Sequence, residues 1–276
     1  MDLAPAAVLA AYGVGGSAVA LDGGQGTSVR AGDLVLKPGV SEAEVAWLAG
    51  LCSRLVPTGF RLPAPVPALD GRHVVDGWMA TAYAEGSPVP DDDRGTSAWL
   101  PVLAATDSFH AATTDEPMPE HLAARDDRWA RADRAAWGET SLRAGPRSAA
   151  LVEHLRELLL DEHLRAQLVH GDLSGNVLLH PGLPPAVIDV SPYWRPAAYA
   201  RAVVVVDALL WWESDPSLVA IARPVGLDAA RWRSLLARAA VFRLLAFDEP
   251  SRERDDVDVE LPRYADIVRV LSSPSR

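Results

Sequence analysis

The chain has 276 residues, 49% of them hydrophobic and 23% charged, with a formal net charge of −11. That length suffices for two lobes around a shared cleft and exceeds what one small core needs. The acidic balance argues against nucleic acid or an anionic membrane as partner, since phosphates and headgroups repel it, whereas a cationic small molecule would be attracted.

A single cysteine, Cys52, excludes a disulfide framework and any cysteine-rich metal site. No apolar run reaches the roughly 18 residues of a membrane span, and no basic stretch precedes an apolar one at the start. These features lead to the expectation of a soluble, cytoplasmic protein.

Residues 17–21 and 27–30 read as strands flanking Asp22-Gly23-Gly24-Gln25-Gly26, a hairpin signal with three glycines. Next comes Leu34-Val35-Leu36-Lys37, a third strand that carries the only lysine beside 25 arginines. A GC-rich coding sequence would replace Lys by Arg wherever a solvated charge is enough. Lysine offers a compact ammonium on a flexible stem, which arginine's planar fork cannot mimic at a tight phosphate site.

Ser41 is placed to cap a helix that begins with Glu42 and Glu44 and runs toward Leu55, with Val45, Leu48 and Leu55 inward. A proline-rich connection over 57–67 leads to two β-like segments, 73–76 and 78–83, separated by Gly77. Glu85-Gly86-Ser87-Pro88 then breaks the pattern, and the chain turns mainly helical. Helices are expected over 96–112, 128–139 and 151–164. In the second, Trp129 and Trp137 lie eight apart and share a face, and either core packing or a substrate-facing wall accounts for them.

Leu168-Val169-His170-Gly171-Asp172-Leu173-Ser174-Gly175-Asn176-Val177-Leu178-Leu179, followed by Ala186-Val187-Ile188-Asp189, is the most informative stretch. It sets His170, Asp172, Asn176 and Asp189 among short β-prone triplets. Phosphoryl transfer needs this layout: one carboxylate to position the attacking hydroxyl, and an amide and a second carboxylate to hold Mg²⁺ against the phosphates of ATP. Further on, the helix expected over 196–212 is apolar around most of its circumference. Its lone Asp207 must find donors or become protonated. A last helix over 228–245 precedes an acidic run containing Asp255, Asp256, Asp258 and Glu260.

The run from His170 to Asp189, with Lys37 ahead of it, resembles the catalytic loop and metal-binding strand of the aminoglycoside phosphotransferase and choline kinase superfamily. It is most similar to an actinobacterial branch with the same His-Gly-Asp-Leu-Ser-Gly-Asn run. The resemblance extends from about residue 17 to about residue 213. It implies a bilobal protein-kinase-like α+β fold, with a small β-rich N-lobe over 1–84 and a larger, mainly helical C-lobe over 85–276.

By the same resemblance, Gly23, Gly24 and Gly26 belong to a phosphate-covering loop, Lys37 contacts the phosphates of ATP and pairs with Glu44, with Glu42 as the alternative, and Ala80, Thr81 and Ala82 border the adenine. Asp172 accepts or orients the acceptor hydroxyl, and Asn176 and Asp189 bind Mg²⁺. His170 supports the loop, His110 packs beneath it, and Asp207 accepts backbone N–H bonds from it. Tyr193 either faces substrate or helps to cap the following helix. Asp255, Asp256, Asp258 and Glu260 either surround the amines of a cationic acceptor or form a solvated acidic loop.

One departure stands out. Three residues separate Asp172 from Asn176 where the kinase pattern has four, which alters the angle at which Asn176 approaches the metal. The expected function is ATP- and Mg²⁺-dependent phosphorylation of a hydroxyl on a small polar acceptor of aminoglycoside or amino-sugar type, with GTP as a further candidate donor. The alternative is a nucleotide-binding pseudokinase that regulates or scaffolds. Neither the acceptor nor the oligomeric state is legible.

Overall fold

Short β-branched and aliphatic runs near the start of the chain build one antiparallel sheet. In this computed structural model, which describes residues 4–21, 27–161, 163–248 and 257–273, the strands are β1 (Val19–Ala20), β2 (Val29–Ala31), β3 (Leu34–Pro38), β4 (Pro65–Val66) and β5 (Trp78–Ala82). Their order is β1-β2-β3-β5-β4, and β3 pairs with β5 so that Lys37 lies opposite Met79. Helix α1 (Ala6–Ala11) closes one face of the sheet: Val8, Val29, Leu36 and Ala80 share a small core, and the Tyr12 hydroxyl donates to the carbonyls of His73 and Trp78. Helix α2 (Glu42–Arg54) starts at the expected Ser41 cap.

Residues 73–76 do not form the expected strand. Asp76 (φ 50°) and Gly77 (φ 77°) instead make a tight turn, across which Val75 and Trp78 exchange backbone bonds of 2.9 and 2.8 Å. Left-handed backbone at two successive positions suits Asp-Gly and reverses the chain directly. The outer partner of β5 comes from the proline-rich connection, where Pro65 tolerates an edge strand because a ladder donor is not required there.

Gly86 marks the passage out of the sheet. Its φ is 134°, and a Cβ there would stand 2.9 Å from the Leu179 carbonyl oxygen, while neighbouring Ser87 exchanges backbone bonds of 3.0 and 2.8 Å with Leu179. Beyond it lie α3 (Thr96–Ala112), α4 (Arg128–Ala136), α5 (Ala149–Arg156), β6 (Gln167–His170), β7 (Val177–His180), β8 (Leu183–Val187), β9 (Pro192–Arg195), α6 (Ala197–Trp211), α7 (Leu218–Ile221), α8 (Ala229–Phe247) and α9 (Val257–Ser272). Helix α5 stops at Arg156, short of residue 164, and α9 takes up the last residues of the acidic run in place of a loop.

The large core gathers around α6 and α8. Val203, Val204, Val205 and Val206 on α6 are fully buried, as are Leu235, Leu236, Val241 and Leu244 on α8. Each such side chain removed from water contributes roughly 1.5–3 kcal/mol, which makes these two helices the stable platform under the strands that follow α5. Antiparallel pairs β6–β9 and β7–β8 bring the segments on either side of Asp172 and Asp189 together.

Candidate active site

Asp172 stands just past β6, and its position is set by the two residues before it. Any side chain at Gly171 would run into the ring of Tyr193 on β9, so glycine is required for the close approach of loop and strand. His170 is fully buried. Its ring Nδ1 accepts from the Asp172 backbone N–H (3.1 Å), its Nε2 lies 3.1 Å from the Ile188 carbonyl oxygen, and its own backbone N–H donates to His110 Nε2 (3.1 Å). The neutral Nε2–H tautomer of His170 satisfies both ring contacts, and the backbone contact needs His110 Nε2 as an acceptor. Burial pulls both imidazoles down, His110 to about 3. His170 therefore ties the segment bearing Asp172 to the residue preceding Asp189.

Asn176 remains at the site despite the shortened loop. Its Nδ2 donates to the Asp172 carbonyl (2.6 Å) and reaches toward Asp172 Oδ2 (3.2 Å), and its backbone carbonyl accepts from Ile188 N–H (3.0 Å). Asp189 holds a left-handed φ of 50°, a conformation short polar side chains accept and one found at sites where a group must be aimed.

Lys37 takes a different partner from the expected one. Its Nζ lies 2.9 Å from Asp189 Oδ2, with both side chains 38% exposed. Glu44 lines the same cleft, but its carboxylate closes a capping box on Ser41, at 2.8 Å from the hydroxyl and 3.2 Å from the backbone N–H. A Ser-x-x-Glu box satisfies two orphan donors of α2 at once, and this competes with a pairing to Lys37.

These groups face a cleft of about 730 Å³ between the sheet and the helical region. Thr81 and Ala82 line its outer end, whereas Ala80 is turned by the strand's alternation into the small core and does not. Gly23, Gly24 and Gly26 lie outside the described residues, although Leu21, Thr27 and Ser28 on either side of them line the cleft. Tyr193 lines the inner end, with the Arg125 guanidinium 5.0 Å from its ring centre and burial pushing its hydroxyl up to about 12. The tryptophan pair divides. Trp129 faces the cleft, and Trp137 packs edge-on to buried Tyr199.

Of the acidic run, Asp255 and Asp256 lie outside the described residues, as does the side chain of Asp258 on α9. Glu260 borders a side pocket of about 120 Å³ that shares Trp129 and Arg243 with the main cleft. One of its oxygens meets Arg263 at 3.2 Å and the other is buried without a hydrogen bond.

Asp207 does support the loop, with partners other than the expected backbone N–H groups. It accepts from the Ser174 hydroxyl (2.7 Å) and, in a two-pronged pair, from Arg243 Nε (2.8 Å) and Nη2 (2.6 Å). Arg243, on α8, also reaches Asp172 Oδ1 at 2.8 Å and was not foreseen. Burial works to lower its pKa, but Asp207 and Asp172 more than offset that and hold the guanidinium charged. The available signal was the one carboxylate of α6, Asp207, and an arginine in the most apolar part of α8, Arg243 within Val241-Phe242-Arg243-Leu244-Leu245.

Residues 27–190, more than half of the chain, match the phosphotransferase enzyme family. The chain belongs to that family. No curated protein sequence matches it. Among solved structures, this phosphotransferase is similar to a microcompartment-associated aminopropanol kinase, with 21% identity over 96% of this chain and 94% of that one and a TM-score of 0.63. A choline/ethanolamine kinase family protein from Mesorhizobium loti follows at 19% identity, 97% and 91% coverage and a TM-score of 0.60. A thermostable mutant aminoglycoside phosphotransferase, in ternary complex with AMP-PNP and hygromycin B, has 17% identity, 97% and 98% coverage and a TM-score of 0.61. The likeness fixes the kinase-like fold of this phosphotransferase, a sheet-based N-terminal region followed by a helical one. No helix among the described residues is long and apolar enough to cross a membrane.

Proposed function

We propose that this phosphotransferase moves the terminal phosphoryl group of ATP, held with Mg²⁺, to a hydroxyl of a small polar acceptor. The observation that carries the reading is the convergence of Lys37, Asp172, Asn176 and Asp189 on one cleft. In a loose transition state the chain contributes alignment and charge placement more than strong base chemistry. Asp172 Oδ2 is the oxygen left to orient the acceptor hydroxyl and take its proton, because Oδ1 is engaged by Arg243. Lys37 meets the phosphates by exchanging its exposed contact with Asp189, and such a contact holds it by no more than about 1 kcal/mol.

The donor set suits Mg²⁺. This ion is bound through oxygen by one or two carboxylates together with the phosphates it accompanies, and Asp189 with the amide oxygen of Asn176 supplies oxygens of that kind. When bound, Mg²⁺ neutralises charge on the transferring phosphoryl group.

A cationic acceptor, of aminoglycoside or amino-sugar type, is the finer reading. The unpartnered buried oxygen of Glu260 beside the cleft supports it. Retention of Asn176 beside Asp172 favours an active enzyme over the nucleotide-binding pseudokinase.

Thermal shift with MgATP, MgGTP and a panel of sugars, amino sugars and aminoglycosides tests donor and acceptor together, since a ligand that binds the folded state raises its apparent stability. MgATP and at least one hydroxylated panel member should raise Tm. In a coupled assay with that acceptor, Asp172→Asn should lower turnover by at least about 10²-fold and leave MgATP affinity unchanged. Nucleotide binding without transfer to any acceptor or to water would favour the pseudokinase.

A further inference from the structure

We propose that Arg243 is a positioning residue for transfer: from α8 it fixes the plane of the Asp172 carboxylate and couples it to the buried base of the loop. This rests on the reading of Asp172 as the group that orients the acceptor hydroxyl. Asp172 is half exposed, with 51% of its side chain in solvent, so packing alone leaves its rotamer free, whereas Arg243 is 3% exposed and immobilised on three sides. It spends Nε and Nη2 on Asp207, and the same Nη2 on Asp172 Oδ1 at 2.8 Å, with the Gly171 carbonyl at 3.4 Å. Its guanidinium carbon lies 5.3 Å from the Trp129 ring centre and 4.9 Å from that of Phe242.

The arrangement joins α6, α8 and three successive points of the loop. Asp207 holds Ser174, Arg243 holds Gly171 and Asp172, and the pair Asp207–Arg243 locks the two helices to each other. A fold alone does not need this. Replacing a buried ion pair by well-packed apolar side chains is frequently neutral or stabilising, so a fully buried charge pair that reaches a half-exposed carboxylate calls for a further role. The role follows from geometry. With Oδ1 tied to Arg243 and Oδ2 only 3.2 Å from Asn176 Nδ2, the carboxylate is fixed at both oxygens and keeps Oδ2 turned toward the acceptor side. Lysine cannot reproduce this, because a single ammonium that bridges the two carboxylates lacks the second, Nε bond to Asp207 that fixes the plane of the guanidinium.

A double-mutant cycle between Arg243→Lys and Asp172→Asn tests it, with MgATP turnover to water as the probe and radiolabelled phosphate release as the signal. Folding is checked by circular dichroism and by the thermal shift with MgATP. If Arg243 acts through Asp172, Arg243→Lys lowers kcat by about 10- to 100-fold, the range a misplaced catalytic group costs, with little change in KM for MgATP. The same substitution in the Asp172→Asn background then changes kcat by less than about two-fold, the limit of additivity for independent sites. A residue that merely holds the fold would lower both backgrounds by one factor.

Should Arg243→Lys fail to fold, the neutral pair Arg243→Met with Asp207→Asn enters the same cycle and should give the same pattern. Equal factors in both backgrounds, or failure of both variants to fold, assigns Arg243 to the fold alone and overturns the proposal. If instead Asp172→Asn by itself leaves turnover unchanged, it is the reading of Asp172 that fails.

Discussion

Lys37 and Asp189 meet in the open cleft with both side chains 38% exposed, whereas Asp172 meets an arginine that is 3% exposed and doubly paired behind it. On the proposed function, the contrast separates two tasks within one site. Exposed pairs are worth little and exchange partners at little cost, which suits groups that must let phosphate in. A buried network is costly to disturb and holds a group still, which suits the carboxylate that must be aimed before the acceptor arrives. The donor side is therefore built to rearrange and the transfer side to stay fixed.

The largest expected effect breaks the donor side. Asp189→Asn should reduce Mg²⁺-dependent nucleotide turnover to assay background and leave Tm nearly unchanged. Loss of function follows from removing an anionic oxygen that Mg²⁺ requires. Intact folding follows from two observations: asparagine accepts the φ of 50°, and the lost pair with Lys37 is exposed. Turnover near wild type would remove Asp189 from the metal site.

Next in size is an effect on the fixed side, read as stability against pH. His110 and His170 are buried and held neutral, His110 with a pKa of about 3, while an unfolded histidine titrates near 6.5. Because the folded values are depressed, the unfolded chain binds more protons between these limits. The contribution is fully present above about pH 6.5 and is lost as pH falls. From pH 6.5 to 5 His110 alone should cost ~2 kcal/mol. Urea unfolding at the two pH values measures this, and His110→Gln, which retains an acceptor for the His170 N–H, should flatten the slope. An unchanged slope in that variant would mean that the acid sensitivity lies elsewhere.

A smaller effect sharpens the comparison. Lys37→Arg conserves charge, yet the wider guanidinium cannot take the compact position between phosphate and Asp189. KM for MgATP should rise about tenfold, equivalent to ~1.4 kcal/mol. Stability should stay within about 0.5 kcal/mol, since the site is exposed. Wild-type kinetics would mean that the single lysine among 25 arginines carries no functional weight.

What could be read in advance follows the same divide. Lys37, Asp172, Asn176 and Asp189 sit in local strings of residues whose chemistry shows in their spacing, and α3 begins and ends at the expected residues because its apolar period is uninterrupted. Partners were harder. Glu44 was assigned to Lys37 although its own Ser-x-x-Glu context marks a capping box, a local bond that wins over a longer reach. The order of elements points to 80–82 as one adenine-bordering string, but strand alternation sends the Ala80 side chain to the small core. Arg243 lies 71 residues from Asp172 and resembles any other arginine until α6 and α8 are packed together. Strand β4 was hidden by Pro65, and α9 by the acidic residues ahead of it.

The smallest effect concerns Glu260 and the acidic residues that precede it in the chain. Neutralising Asp255, Asp256 and Asp258 to Asn and Glu260 to Gln should raise KM for a cationic acceptor several-fold and leave KM for MgATP unaffected. Added salt should raise the wild-type acceptor KM in the same direction, because it screens these charges over about 10 Å at 0.1 M. Glu260 is expected to account for the largest share, since one of its oxygens is already removed from water and waits for a donor. A neutral acceptor, or a KM indifferent both to salt and to the four substitutions, would reduce the run to a solvated acidic segment. The cationic-acceptor reading would then fall while the phosphotransferase assignment stood, because that assignment rests on Lys37, Asp172, Asn176 and Asp189 and on none of these four.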